Sequence, residues 1–266
     1  MVKKEKKKKM DKPILERFNL SYSAYSVWKK SQLLFYLKYL SDIESTDRVN
    51  NSYGILGNMM HKDNDLYIET GEKHFDKLWN EKMIEVLVGF NGRGFDKEEY
   101  RKYSDTFKQY IDVLKEEKNG KFIVERKISY KAEKLFGITI KGFIDLTFEK
   151  DDKVYLLDWK TNTRYNYNMH RDQRLFYSYL MKESLKHIPE LCSWFYVKGG
   201  FKFFNDSFVE KEIEEFEKEL VKMLKTIQEY GDNINKYELG DYNNPFNEYK
   251  TLCYEIDKKR SKSITR

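Results

Sequence analysis

Residues 142–160 constrain the fold of this chain more than any other segment, because their side chains alternate as in a tight β-hairpin. If Asp151 and Asp152 form the turn, Asp145 on the first strand faces Asp158 on the second. One face of the hairpin is then wholly apolar and consists of Ile144, Leu146, Phe148, Tyr155, Leu157 and Trp159. The alternation therefore predicts that this face packs into a core and that it fixes the register of the two strands.

The opposite face of the hairpin carries Asp145, Asp158 and Lys160, and the Cβ atoms of two facing residues lie about 5 Å apart. Two facing carboxylates repel each other, so a cation or a shared proton must compensate. Carboxylate oxygens suit Mg²⁺ or Mn²⁺, which activates water and neutralises a phosphoryl transition state while the lysine orients the water. The pattern thus indicates phosphodiester hydrolysis. The alternative is an ordinary solvated strand face on which Lys160 forms a salt bridge.

The rest of the chain predicts a mixed α/β fold. Good N-capping residues and apolar residues at helical spacing predict an opening helix from Ser21 or Ser23 to Leu40. Further helices are predicted at 53–69, 72–88, 97–118, 167–186 and 209–230, and strands at 122–128, 138–148, 154–159, 193–198 and 201–204. This order favours a mixed sheet with an N-terminal helical layer over a regularly alternating, doubly wound sheet.

Composition limits the class of protein. With 266 residues, of which 40% are hydrophobic, the chain can form one large domain. No stretch approaches the roughly 18 apolar residues of a membrane span, and the first residues do not resemble an export signal. We therefore expect a cytoplasmic protein without membrane contact. Cys192 and Cys253 are too few for a disulfide framework or a four-cysteine metal site, and we expect both to be reduced thiols.

The net charge of +6 is concentrated at the two ends of the chain. Residues 1–10 contribute +5 and residues 258–266 another +5, so by subtraction the 247 residues between them carry −4. Such ends can bind phosphates in a salt-dependent way, but they are equally consistent with solubilising, disordered tails. We expect a basic, flexible tail at 1–18, a single domain at 19–257 and a basic tail at 258–266.

A longer pattern places the hairpin in a known family. Asp145, a spacer of twelve residues and then Asp158-Trp159-Lys160 resemble the motif of the PD-(D/E)XK nuclease superfamily. Three other segments resemble its RecB-like branch, which includes CRISPR-associated and phage exonucleases. They are the opening helix from Ser21-Tyr-Ser23 to Phe35–Leu40, the segment Gly57–His61 and the segment Gln173–Tyr177. The resemblance spans residues 19–200 and implies a restriction-endonuclease-like central sheet flanked by helices.

The resemblance also implies which residues act. The implied metal ligands are His61, Asp145, Asp158 and the backbone carbonyl of Trp159. The implied catalytic residues are Asp145, Asp158, Lys160, Gln173 and Tyr177. Glu125 is a less secure acidic neighbour. Taken singly, His61 also fits a packed core histidine, Gln173 and Tyr177 fit helix-surface polar groups, and Glu125 fits a solvated strand residue.

The sequence departs from the family pattern in three ways. The proline that names the superfamily is absent, because Phe143-Ile144 precede Asp145. Many RecB-like members hold an iron–sulfur cluster, but here Ser31-Gln32 stands at the first cysteine position and only Cys253 lies near the rear positions, so we predict no cluster. No Walker A motif is present, so any helicase partner must be a separate chain.

These observations together predict a metal-dependent deoxyribonuclease, and the resemblance implies an exonuclease in recombination, repair or phage DNA processing. Its expected partners are DNA and a separate helicase or recombination protein. The alternative is a non-catalytic nucleic-acid-binding protein that retains the fold, which is disfavoured because Asp145, Asp158 and Lys160 are all intact. A third role, an interaction subunit using the charged helix at 209–230, is compatible with either.

Overall fold

A computed structural model describes residues 9–45, 47, 52–89, 95–116, 120–161, 167–196, 202–243 and 247–264. The predicted turn at Gly199-Gly200 and most of the glycine-bearing link at 89–94 lie outside these residues. The chain divides into two compact units. The terminal unit comprises residues 1–49, 129–141 and 214–266, and the central unit comprises residues 50–128 and 142–213. Each unit is considered by itself.

The mixed α/β class is confirmed. The helices are α1 (Tyr22–Lys30), α2 (Gln32–Phe35), a π-helical turn (Tyr36–Leu40), α3 (Ser52–Thr70), α4 (Phe75–Gly89), α5 (Lys97–Lys115), α6 (Tyr167–Leu185), α7 (Glu210–Tyr230) and α8 (Lys250–Ile264). The strands are β1 (Lys121–Ala132), β2 (Ile138–Lys150), β3 (Lys153–Lys160), β4 (Leu191–Tyr196) and β5 (Lys202–Asp206). Short 3₁₀ turns cover Lys9–Asp11, Ile14–Glu16, Glu133–Leu135 and Ile234–Lys236.

The five strands form one sheet in the order β1-β2-β3-β4-β5. Strands β2 and β3 are antiparallel, β3 and β4 are parallel, and β4 and β5 are antiparallel. The predicted hairpin register is confirmed from the Lys150–Lys153 pair to the Leu146–Leu157 pair. Its turn residues Asp151 and Asp152 have φ of 50° and 59°. Two successive positive φ values are those of a tight hairpin turn whose twist matches the strands, and aspartate tolerates them well.

The predicted apolar face of the hairpin packs into the core of the central unit. Leu146, Leu157 and Trp159 join Phe107 of α5 in one cluster of buried side chains. The rings of Trp159 and Phe107 meet edge to face, with 4.0 Å between their centroids. Each such side chain contributes about 1.5–3 kcal/mol through burial, which strongly disfavours a one-residue slip of the strands.

The opposite face of the hairpin is buried in part, although Phe143 at its edge is 60% exposed. Leu156 is fully buried and Asp158 is only 2% exposed. Helix α6 contributes Gln173 to this face, where its amide donates to Asp158. Elsewhere on β2, a Cβ atom at Gly142 would lie 2.5 Å from Leu180 Cδ2 of α6. Glycine at this position therefore allows β2 to approach α6 closely.

Helices α3 and α5 of the central unit enclose a buried ion pair. Lys108 Nζ lies 2.7 Å from Asp63 Oδ2, and the two side chains are 2% and 0% exposed. The hydroxyl of Ser104 donates to the same carboxylate oxygen, and the backbone N–H of His74 donates to the other at 3.1 Å. These hydrogen bonds satisfy both carboxylate oxygens, which is the condition for a buried pair to be tolerated.

The opening helix is not continuous, contrary to the prediction. Ser21 caps α1 by accepting the Ala24 N–H, but Ser31 is extended and its hydroxyl accepts the Leu34 N–H, which starts a second helix. A side chain that bonds a nearby backbone N–H competes with helix continuation, and this explains the break.

Parts of the two predicted tails and most of the charged helix lie among the described residues of the terminal unit. In the first segment Leu15 and Phe18 are buried. Helix α8 extends to Ile264, and Arg260 donates to the Tyr237 carbonyl at 2.9 Å. Helix α7 buries the apolar side chains Phe216, Leu220, Met223, Leu224 and Ile227. Within the described ranges, no helix is long and apolar enough to span a membrane.

Candidate active site

The two hairpin carboxylates lie where the β2–β3 pairing ends. The last paired residues are Leu146 and Leu157, and Asp145 and Asp158 come directly after them at the open end. One oxygen of Asp145, Oδ2, accepts the backbone N–H of Trp159 at 2.8 Å. The side chain thus occupies a place that a backbone carbonyl takes in a regular ladder, and this fixes its orientation.

Helix α3 brings His61 to Asp145. The imidazole Nδ1 lies 3.3 Å from Asp145 Oδ1, the carboxylate oxygen that Trp159 does not use. Burial lowers the pKa of His61, but the charges of Asp145 and Asp158 outweigh it and the pKa is raised. For Asp145 the net shift is downward. Burial raises the pKa of Asp145, but the positive charges of His61 and Lys160 lower it by more. The structure therefore favours a charged pair here.

Lys160 and a residue of helix α6 each contact one of the two carboxylate oxygens of Asp158. The Lys160 ammonium forms an ion pair with Asp158 Oδ1. The Gln173 amide donates to Asp158 Oδ2 and to the Tyr177 hydroxyl, each at 3.2 Å. Gln173 is 8% exposed and Tyr177 equally so. The five predicted catalytic residues are thus brought together, and Gln173 and Tyr177 are buried groups of the site, not helix-surface groups.

The site carries more negative charge than its cations relieve. Burial raises the pKa of Asp158 to about 6, against the opposing effect of Lys160 and with a further contribution from Asp145. A buried carboxylate whose ionised form is disfavoured beside a second carboxylate indicates a place where an additional cation would be stabilising.

The structure adds a residue that the sequence analysis missed, Asp65. It lies one helical turn after His61 in α3 and is 3% exposed. Its Oδ2 has no hydrogen-bond partner among the described residues. Burial raises the pKa of Asp65 to about 7, Glu125 and Asp145 raise it further, and His61 and Lys62 oppose this effect. The i, i+4 spacing from His61 was the available signal.

Glu125, the less secure acidic neighbour, lies close enough to Asp65 to act on its ionisation. It is exposed and sits on β1 with a φ of 41°. Positive φ at a non-glycine residue within a strand marks a local irregularity that redirects the side chain, and such irregularities are common beside active sites.

The donor set fits a hard divalent cation in its chemistry. The predicted ligands supply carboxylate oxygens, one imidazole nitrogen and the carbonyl of Trp159, and the raised pKa values of Asp158 and Asp65 leave charge for a cation to compensate. Among the described residues, no three His, Cys, Asp or Glu side chains converge in a metal-coordinating arrangement. Lys160 holds Asp158 Oδ1, so a cation would have to compete with this ammonium. The ligand roles remain predictions.

The two cysteines take no part in the site. Cys192 of β4 and Cys253 of α8 are free and buried. Burial raises the pKa of the Cys192 thiol to about 12, which suppresses the reactive thiolate.

Comparison with solved structures shows a shared fold. A protein of Eubacterium rectale, named as a candidate exonuclease, superposes with a TM-score of 0.55 at 8% identity, covering 90% of this chain and 89% of its own. The protein SSO0001 reaches a TM-score of 0.39 at 12% identity, covering 76% of this chain and 95% of its own. A search of curated protein sequences gave no match.

Comparison with protein families gives a match over most of the chain. The family model of the PD-(D/E)XK nuclease superfamily matches residues 19–253, which include the hairpin, His61 of α3 and the Gln173–Tyr177 turn of α6. The intact Asp145, Asp158 and Lys160 at the open end of the hairpin agree with this match. The chain belongs to the PD-(D/E)XK nuclease superfamily.

Proposed function

We propose that this nuclease hydrolyses DNA phosphodiester bonds with the help of Mg²⁺ or Mn²⁺. The observation that carries the proposal is that two ion pairs, His61 with Asp145 and Lys160 with Asp158, lie side by side at the open end of one hairpin. A purely structural hairpin would gain nothing from two carboxylates at adjoining positions, one of them with its pKa raised to about 6.

The residues that would hold the cation are His61, Asp145, Asp158 and the Trp159 carbonyl. When bound, the cation supplies Lewis acidity toward the phosphate and lowers the pKa of water. His61 must be neutral to act as a ligand, so binding would release the proton that Asp145 favours. The backbone N–H of Trp159 keeps one Asp145 oxygen in place, and the other oxygen would be the one that binds the cation.

Lys160 has two tasks in this scheme. In the structure it pairs with Asp158, and during the reaction its ammonium would orient the attacking water and stabilise charge on the phosphoryl oxygens. Gln173 donates to the second oxygen of Asp158 and so holds the carboxylate in place. Tyr177 in turn positions Gln173.

The proposed substrate and process are supported by likeness to other proteins. The RecB-like motifs support action on DNA, and the fold shared with the candidate exonuclease of Eubacterium rectale supports exonuclease action. We propose a role in recombination, repair or phage DNA processing in the cytoplasm, alongside a separate helicase or recombination protein. The alternative is a protein that binds nucleic acid without cleaving it.

One assay tests the proposal. End-labelled linear and closed-circular DNA, and RNA of the same sequence, are incubated with Mg²⁺, Mn²⁺ or EDTA. We expect cation-dependent cleavage of linear DNA, with circular DNA spared. Asp158→Asn and Lys160→Ala should reduce the rate at least 100-fold, as expected when charge stabilisation is removed.

Asp152→Asn is the matched control, because Asp152 lies in the turn of the same hairpin and asparagine tolerates its positive φ. This variant should keep full activity, and thermal unfolding should show that all variants are folded. Cleavage in EDTA, or undiminished activity of Asp158→Asn or Lys160→Ala, would refute the mechanism. Binding of DNA without any cleavage would favour the alternative.

A further inference from the structure

Phe143 is an exposed aromatic residue next to the site. Its side chain is 60% exposed, more than any other phenylalanine, tyrosine or tryptophan that the structure describes. It lies on β2 two residues before Asp145, and the two alternate with the buried residues Gly142, Ile144 and Leu146. Phe143 and Asp145 therefore lie on the same side of the strand. Single exposed apolar residues are common on protein surfaces, so the location of this one is what matters.

The location is within one nucleotide of the scissile phosphate. Strand residues rise about 3.3 Å each, which places the backbone at Phe143 roughly 7 Å from that at Asp145. A phosphate held at Asp145 therefore has its own or the adjoining base within reach of the ring. Aromatic rings that stack on bases contribute binding without sequence preference, because every base has a π-face.

A lysine accompanies the ring. Lys127 on β1 places its ammonium 6.0 Å from the centre of the Phe143 ring. Across the described ranges no carboxylate forms an ion pair with Lys127, although most of the site's charged groups are paired. An exposed ammonium beside an exposed ring is the combination that binds a nucleotide by its phosphate and its base.

We propose that Phe143 is a stacking surface for an unpaired base next to the scissile phosphate, and that Lys127 binds the adjoining phosphate. A base inside a duplex has both faces covered by its neighbours and must be unstacked before it can reach the ring, and this cost offsets the gain from stacking. The nuclease therefore acts on single-stranded DNA or on unpaired ends in preference to paired ends. This inference rests on the proposed function of the site.

The first experiment separates binding from catalysis. KM and kcat are measured with single-stranded oligonucleotides and with blunt duplexes for wild type, Phe143→Ala, Phe143→Trp and Lys127→Ala. We expect Phe143→Ala to raise KM for single strands roughly 10-fold with little change in kcat or in duplex cleavage, and Phe143→Trp to restore the wild-type KM. Lys127→Ala should raise KM and reduce the slope of binding against salt by about one ion.

Tyr254→Ala is the control, because Tyr254 is 55% exposed and lies on α8 in the terminal unit. It should behave as wild type, and thermal unfolding should be unchanged in every variant. Equal effects of Phe143→Ala on single strands and duplexes, or no effect on either, would overturn the proposal, as would a Phe143→Trp variant no better than Phe143→Ala.

The second experiment does not depend on cleavage. In an Asp158→Asn background, tryptophan fluorescence of Phe143→Trp is followed during titration with single-stranded and duplex DNA. Quenching by single strands that exceeds quenching by duplex supports the stacking surface even if the wild-type protein proves unable to cleave DNA. Absence of this difference refutes the stacking surface even if cleavage by the wild type is confirmed.

Discussion

Replacing Asp65 by asparagine is expected to stabilise the protein at pH 8 in the absence of divalent cations. The side chain is 3% exposed, and burial raises its pKa to about 7 from an ordinary value of 3.8, with Glu125 as the next cause. At 1.36 kcal/mol per pKa unit, this rise corresponds to roughly 4 kcal/mol at most. Screening by nearby solvent reduces this energy, and we expect Asp65→Asn to raise the free energy of unfolding by about 2–3 kcal/mol.

The sign follows from which state holds the proton. Below about pH 4 Asp65 is protonated in both the folded and the unfolded chain, and the substitution changes little. Between pH 4 and pH 7 the unfolded chain ionises while the folded chain keeps its proton, so the stability of the wild type falls with pH. Above pH 7 Asp65 is ionised in both states, and the wild type bears the full loss of stability that comes from burying its charge. Asparagine does not ionise, so the advantage of the variant builds up between pH 4 and pH 7 and stays constant above that.

Urea unfolding of the wild type and of Asp65→Asn at pH 5 and pH 8, in EDTA, measures this difference. Glu69→Gln is the control, because Glu69 is exposed on the same helix. A difference between wild type and Asp65→Asn that is the same at both pH values would refute the reasoning, as would a less stable variant at pH 8. Addition of Mg²⁺ should reduce the advantage of the variant, since a cation near Asp65 stabilises its charged form.

Three further predictions concern the central unit. Gly142→Ala should lower the free energy of urea unfolding by about 1–3 kcal/mol and lower the cleavage rate, because the new Cβ atom would lie 2.5 Å from Leu180 Cδ2. A variant with wild-type stability and activity would contradict this prediction. Lys108→Met should lower the free energy of unfolding by about 3–5 kcal/mol, because it leaves the buried Asp63 without its lysine. The double variant with Asp63→Asn should lose less stability, and equal losses in the two variants would contradict the pairing. Cys192 should resist alkylation at pH 8 in the folded protein and react after unfolding, as mapped by peptide mass spectrometry, since burial raises its pKa to about 12.

The hairpin was predictable because its information is local. Alternation of side chains and two aspartates in the turn predict the register over residues 142–160, and the structure shows this pairing from Leu146–Leu157 to Lys150–Lys153. Helix α6 was predictable for the same reason, since an unbroken helical pattern over 19 residues leaves little choice. The side chains of Gln173 and Tyr177 then reach the hairpin because they lie four residues apart on one face.

Other features depend on contacts between distant segments. The parallel pairing of β3 with β4 follows from how α6 crosses the sheet, and no residue in either strand encodes it. The burial of Asp65 depends on what covers α3, so its sequence neighbours gave no sign of its raised pKa. The break at Ser31 is a near-balanced local choice, because the same serine can continue a helix or start a new one.

The open end of the hairpin has a consequence for when activity can appear during the life of the chain. His61 comes from α3, Asp145 from β2, Asp158 and Lys160 from β3, and Gln173 from α6. A chain emerging from the ribosome contains His61 long before its partners, and a chain that has lost the β2–β3 pairing separates Asp145 from Trp159. Neither can assemble the site. If these residues act as proposed, hydrolytic activity requires that folding of the central unit is complete and is lost as soon as that unit opens.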